Sequence, residues 1–201
     1  MIRIGVDVGG TNTDAVVMKG QDFLGGAKST TTADILSGVE ESIKIALTQS
    51  KITSSEVDVL IIGTTHFVNA LVQRKKLAKT GIIRLSLPAG GGVLPFADWP
   101  TSLVESINGK SKLIHGGYEM DGNEISKLDH SEIINAAKEL INTGSEQIAI
   151  SSVFATVRGD MEQEAFDILK KEIPDIDISL SKNIGGMGLL ERENAAIINA
   201  A

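Results

Sequence analysis

The chain has 201 residues, 42% hydrophobic and 22% charged, with a formal charge of −7 and no cysteine. That composition supports a folded core and excludes a disordered chain, a disulfide-stapled scaffold and a thiolate metal site. The acidity, with no basic run longer than Arg74-Lys75-Lys76, argues against nucleic acid, and no apolar run reaches membrane-spanning length.

The first fourteen residues read MIRIGVDVGGTNTD. Ile2, Ile4, Val6 and Val8 alternate with Arg3, Gly5, Asp7 and Gly9, a strand period that sends Asp7 out on the face opposite the isoleucines. Gly9 and Gly10 are expected to adopt positive φ in a tight turn and to let the backbone approach a ligand. Thr11, Asn12 and Thr13 follow, and Ala15 to Met18 forms a second apolar run. A strand, a polar Gly-Gly turn and a strand make a hairpin whose N–H groups can wrap a phosphate. Asp7 at its base can hold Mg²⁺ through waters. The same pattern also fits an ordinary hairpin loop in which Asp14 caps a turn. It is neither a Walker loop, because no Gly-Lys-Ser/Thr follows, nor a dinucleotide fingerprint, because a strand comes next.

A third strand is expected over Asp22 to Lys28 and a helix over Asp34–Gln49. Thr31 and Asp34 have capping-box spacing, and Ile35, Leu36, Val39, Ile43 and Leu47 form the core face. Val57 to Ile62 reads as a buried strand ending at Gly63-Thr64-Thr65-His66, with a helix over Asn69 to Arg74. If this strand lies parallel to the first, both polar tips face one cleft, where ligands sit in open α/β sheets. His66 is then either a proton carrier at the cleft or a helix-start histidine bound to a carbonyl. Thr64 and Thr65 are either cleft hydroxyls or N-caps. His115 and His130 share no metal-ligand spacing with it.

Lys79 to Leu87 is a further strand. Ala89 to Pro100, with Gly90-Gly91-Gly92, Phe96 and Trp99, is either a mobile lid or, preferably, a connector with its aromatics packed down. Lys112 to Met120 and Asn123 to Lys127 flank Asp121-Gly122 as a hairpin. A helix over Ser131–Asn142 has an Asp129/Glu132 capping box and stops at Gly144. Gln147 to Phe154 is a buried strand, Asp160 to Lys171 a helix capped by Asp160 and Gln163, and Ile176 to Leu180 a strand. Ser181 to Gly188 is a loop, and 189–201 is helical to the last residue. The expected organisation is an N-terminal lobe over 1–190, with an inserted β-rich segment at about 80–128. Residues 189–201 begin a helix leading to a further lobe, and the default location is the cytoplasm.

The hairpin resembles the first phosphate motif of the actin, hexokinase and heat-shock-chaperone superfamily. Nearly the whole chain resembles the N-terminal region of the hydantoinase/oxoprolinase family. The anchors are Asp7–Asp14, Ile62–Arg74, Gly81–Pro100, Gly116–Asp129, Ile150–Val157 and Gly188–Ala200. The resemblance implies a ribonuclease-H-like α/β fold, a mixed sheet with flanking helices, and ATP-dependent opening of a cyclic amide by phosphorylation of its oxygen. It assigns Gly9, Gly10, Thr11, Asn12 and Thr13 to the phosphates, Asp7 to Mg²⁺, and Thr64, Thr65, His66 and Asn69 to the reacting side. Many members carry a histidine before Gly-Thr-Thr where this chain has Ile62, which leaves the substrate open. Expected partners are a cyclic amide, the remaining lobe, and a second subunit or a further copy. The chain alone is expected to bind nucleotide weakly without turnover. The alternatives are a small-metabolite kinase lobe and an ATP-switched scaffold.

Overall fold

A computed structural model describes residues 1–32 and 34–201, and for His66 the backbone alone. The chain partitions into two units, Met1–Lys75 and Lys76–Ala201. No helix among the described residues is long and apolar enough to cross a membrane.

In the first unit, alternation builds β1 (Ile2–Val8), β2 (Asn12–Lys19) and β3 (Asp22–Thr30) into an antiparallel meander. After α1 (Ile35–Ser50), β4 (Val59–Thr64) returns parallel to β1, giving the order β3-β2-β1-β4. This is the expected ribonuclease-H-like arrangement. Ile4, Val6, Val8, Ala15 and Val17 point to one face and pack with Val39 and Ala46 of α1. The helix begins later than its capping-box spacing suggested: Asp34 is itself the N-cap and makes no side-chain cap bond. Ile35 and Leu36, expected in the core, are exposed, and the buried face of α1 begins only at Gly38 and Val39.

The expectation that Val57 to Ile62 forms a buried strand is overturned. Leu60, Ile61 and Ile62 are 49%, 55% and 53% exposed, and every residue of β4 is solvent-accessible. The cause is position. β4 is an edge strand with a neighbour on one side only, and the α1 cluster takes its residues from β1 and β2, not β4. The helix after it, α2 (His66–Gln73), starts three residues before the predicted Asn69.

The second unit holds a parallel sheet of order β6-β5-β7-β8, built from β5 (Thr80–Leu87), β6 (Lys110–His115), β7 (Gln147–Ser152) and β8 (Asp177–Leu180). Helices α3 (Thr101–Ser106), α4 (His130–Asn142), α5 (Asp160–Glu172) and α6 (Leu189–Ala200) complete it. The segment near 80–128, expected as an insertion, supplies β5, which lies between β6 and β7 in this sheet. Strand alternation serves two layers. Ile83, Leu85, Ile148 and Ile150 pack with α4 and α5, while Ile82 and Ala149 pack with Ala196, Ile197 and Ala200 of α6.

Two buried charges join that second layer. Arg84 donates from Nε to Glu193 Oε2 at 2.7 Å and from Nη2 to Oε1 at 2.5 Å, and the Ser151 hydroxyl donates to the same carboxylate at 2.6 Å. Both partners are at most 1% exposed. A buried charge of either sign requires this kind of complete pairing.

Further expectations change in detail. Phe96 and Trp99 are packed down, ring centroids 5.3 Å apart, with Trp99 Nε1 donating to Asn194 Oδ1, so the glycine-rich connector is anchored. Asp121-Gly122 does turn the chain, but the expected hairpin reduces to one bridge between Tyr118 and Glu124 because β6 pairs instead with β5. Asp129 caps α4 as expected, accepting from the N–H groups of Ser131 and Glu132. Asp160 does not cap α5. Gly159 is the N-cap, and the Asp160 carboxylate accepts from Arg158 at 2.6 Å.

Candidate functional site

The candidate site lies in the first unit, at the carboxyl ends of β1 and β4. Parallel pairing sets Asp7 beside Gly63 and Val8 beside Thr64, so the polar turns after the two strands emerge together. The Thr64 hydroxyl and the Thr65 N–H both donate to the carbonyl of Val8, at 3.3 and 3.2 Å. Thr65 is the N-cap of α2, and its hydroxyl accepts from Asn69 Nδ2 at 3.4 Å. The Asn69 amide reaches the hairpin: a Cβ on Gly10 would stand 3.2 Å from its Nδ2. The His66 side chain lies outside the described residues.

Residues 9–11 link β1 to β2. The expected positive φ is absent at Gly9 and Gly10. Glycine is needed for close approach instead: a Cβ on Gly9 would stand 3.0 Å from the carbonyl oxygen of Asn12. That carbonyl accepts the Gly9 N–H at 2.9 Å and closes the turn. The N–H groups of Gly10 and Thr11 have no acceptor among the described residues, and both residues are exposed. Adjacent unpaired N–H groups of this kind are suited to an anion.

Thr13 behaves differently from its neighbours. It is fully buried, and its hydroxyl lies 3.2 Å from that of Thr31, so its side chain faces the interior rather than a ligand. Thr31 escaped the sequence reading, which gave it to a helix cap. The only signal was its place in the run Thr30-Thr31-Thr32 after β3.

The charged groups occupy one row across the sheet. Asp7 pairs in register with Asp14, and Asp14 with Lys28, whose Nζ lies 3.3 Å from Asp14 Oδ1. Asp7 is exposed and has no hydrogen-bond or ion-pair partner among the described residues. Below the row, Gly5, Val16 and Ile61 join Asp7 and Asp14 in lining a shallow open depression of about 280 Å³. No cluster of three or more metal-ligating side chains exists among the described residues. A lone, accessible carboxylate nonetheless fits Mg²⁺, which keeps most of its waters and takes one or two protein ligands beside phosphate.

The most perturbed titrations lie elsewhere. Burial pushes the Glu162 carboxyl up, against hydrogen bonds from Ser181 and the Lys182 N–H. Burial and the neighbouring Asp160 push Tyr118 up to about 12. In the second unit, His115 and His130 sit on Glu132 and Glu164.

The topology and this site define a class: a ribonuclease-H-like α/β protein with a polar glycine hairpin at the carboxyl edge of its first sheet. The chain belongs to the family described as the hydantoinase/oxoprolinase N-terminal region, whose model matches residues 3–173. Among solved structures, it is similar to an acetone carboxylase solved nucleotide-free, with a TM-score of 0.76 and 20% identity over 99% of this chain and 32% of that one. It is also similar to an ATP-dependent caprolactamase from Pseudomonas jessenii, with a TM-score of 0.70 and 22% identity over 98% of this chain and 31% of that one. At these identities the likeness establishes the fold, and the chain spans about a third of each structure's length. No curated protein matches it by sequence.

Proposed function

We propose that this chain is the N-terminal nucleotide-binding lobe of a cytoplasmic ATP-dependent enzyme that opens a cyclic amide by phosphoryl activation of its carbonyl oxygen. The observation that carries the reading is the turn after β1: two unpaired N–H groups, at Gly10 and Thr11, beside the free carboxylate of Asp7. Family membership supports it. So do two similar structures named for ATP-dependent carboxylation of acetone and ATP-dependent action on caprolactam.

In this reading the N–H groups of Gly10 and Thr11 bind the phosphates of ATP, Gly9 and Asn12 close the turn that presents them, and Thr13 anchors it from below. Asp7 would hold Mg²⁺, which would supply charge neutralisation at the phosphates. Thr64, Thr65, His66 and Asn69 line the reacting side, next to the turn. An amide is a poor electrophile, and phosphorylation of its oxygen makes the carbonyl carbon one that water can attack. The tetrahedral adduct collapses by breaking the C–N bond, which opens the ring with nitrogen leaving as the amine. A second water hydrolyses the resulting acyl phosphate to carboxylate and phosphate. The phosphoryl transfer depends mainly on positioning and charge stabilisation. The remainder of the nucleotide clamp belongs to a further lobe.

One observation favours a second reading. Leu60, Ile61, Ile62, Phe67, Val68 and Val72 are exposed large apolar side chains on β4 and α2. Exposed apolar patches of this kind mark interaction surfaces, which suits an ATP-switched scaffold.

The test is phosphate release from ATP by the full-length protein with 5-oxoproline, hydantoin, N-methylhydantoin and caprolactam. Stimulation by one of them is expected. Tight Mg-ATP binding without stimulation by any cyclic amide moves the conclusion to the scaffold. Asp7→Asn is expected to cut ATP turnover by orders of magnitude while the circular dichroism spectrum is retained. Unchanged turnover removes Asp7 from the site.

A further inference from the structure

The turn between β1 and β2 presents its N–H groups better the more of its carbonyl oxygens are engaged elsewhere. A peptide carbonyl aimed at a phosphate would repel it. In this structure the carbonyls of Gly9, Thr11 and Asn12 are paired, that of Gly10 has no donor among the described residues, and two of the three paired ones pair with one residue. The Thr31 hydroxyl donates to the Gly9 carbonyl at 2.8 Å, and the Thr31 N–H donates to the Thr11 carbonyl, also at 2.8 Å. The third carbonyl, that of Asn12, takes the N–H of Gly9.

The proton order follows from the acceptors. A hydroxyl has one proton, and the Gly9 carbonyl can only accept, so Thr31 spends its proton there. The Thr13 hydroxyl, 3.2 Å from that of Thr31, must then donate to it. Thr13 has no exposure, so this donor is shielded from water and the chain Thr13 to Thr31 to Gly9 has a fixed direction. The Ser42 hydroxyl, buried in α1, spends its one proton on the nearer Gly38 carbonyl at 2.9 Å and lies 3.4 Å from the Thr13 carbonyl, so the helix packs against the lower end of the chain.

We infer that Thr31 is a positioning residue for the phosphate turn: from the segment after β3 it grips two of the turn's carbonyls and leaves the Gly10 and Thr11 N–H groups open to an anion. The inference rests on the proposed nucleotide function and adds to it a residue outside the hairpin. Thr31 need not touch the ligand. Its side chain is half-buried, beneath the turn rather than on its exposed side.

The substitution that isolates the hydroxyl is Thr31→Val, which keeps the shape and the backbone bond to Thr11. Thr31→Ser returns the hydroxyl with less bulk. In the full-length protein, Thr31→Val is expected to raise the KM or Kd for Mg-ATP about tenfold, the equivalent of one aligned hydrogen bond to the turn. The thermal midpoint should move little, and Thr31→Ser should restore most of the affinity. Unchanged nucleotide affinity in Thr31→Val overturns the role, as does an equal loss in both variants, which would assign the effect to packing.

Amide hydrogen exchange reads the clamp without nucleotide. The Gly9 N–H is protected by Asn12, and Thr31→Val should speed its exchange while amides of α1 keep theirs. If the wild-type protein has no affinity for Mg-ATP, the proposed function fails, and the clamp stands or falls on this exchange measurement alone. Unchanged exchange at Gly9 overturns it.

Discussion

β4 and β5 are written in nearly the same letters and meet opposite fates. VLIIGT in β4 and TGIIRLSL in β5 are both rich in β-branched and aliphatic residues, yet the first is exposed throughout and seven of the eight residues of the second are buried. The difference lies in layers. β5 has a hydrogen-bonded neighbour on each side and helices on each face, with α4 and α5 below and α6 above. β4 has a neighbour on one side and sits beyond the cluster formed under α1. An apolar run therefore reports that a strand forms. Whether it is buried depends on elements distant in sequence, because each layer must come from somewhere.

The contrast can be broken most severely at the ion pair that α6 contributes to the layer over β5. Glu193→Ala leaves Arg84 buried without its carboxylate, and removal of one partner of such a pair costs about 3–5 kcal/mol. Urea unfolding should show the second unit melting early, and the joint replacement Arg84→Met with Glu193→Leu should recover much of the loss. Retained stability in Glu193→Ala would mean that water or another group reaches Arg84.

Next in size is a matched pair of truncations. Leu85→Ala empties a fully buried position and should cost about 2–5 kcal/mol. Ile61→Ala on β4 should stay within about 0.5 kcal/mol for this chain, as surface changes do. Equal losses would show that β4 is covered in solution, and would sharpen the comparison into a question of what covers it.

The smallest effect belongs to a cap. The Ser131 hydroxyl, then the N–H groups of Glu132 and Ser131, hold the Asp129 carboxyl below its usual range. A depressed folded pKa contributes stability that is present above the unfolded value and is lost as pH falls through the folded one. The second unit should therefore lose a little stability on acidification below the ordinary aspartate range. Asp129→Asn should flatten that part of the pH–stability curve, and an unchanged slope would assign it to other carboxylates.

Much of the fold was legible because it depends on local periodicity. The alternation from Ile2 to Val8, the Asp129 cap and the Gly144 stop each act within a few residues, and each forms the element it signals. The expected site residues Asp7, Thr64, Thr65 and Asn69 do gather around the hairpin, because parallel pairing of β1 with β4 aligns their carboxyl ends. What was not legible depends on partners far away in the chain. Thr31 looks like a helix cap until β3 is seen to deliver it under Gly9. Arg84 looks like an interruption in a strand until Glu193, 109 residues on, arrives to meet it. The glycines of the hairpin were expected to use positive φ, and the structure instead gives them close contacts with the Asn12 carbonyl and the Asn69 amide.

The row Gly63, Asp7, Asp14 and Lys28 also has a bearing on how the first sheet finds its alignment. These residues share one level and one face, while the next level toward the turn, with Val8 and Thr13, belongs to the opposite face. If β1 slipped by one residue against its neighbours, Asp7 would swing into the layer under α1, and Ile4, Val6 and Val8 would turn outward. Misalignment would bury an unpaired carboxylate and strip the core in one step. The aspartate proposed as the magnesium ligand thus also acts as a lock on strand pairing, and the arrangement that exposes it is the same one that lets the sheet close on its helix.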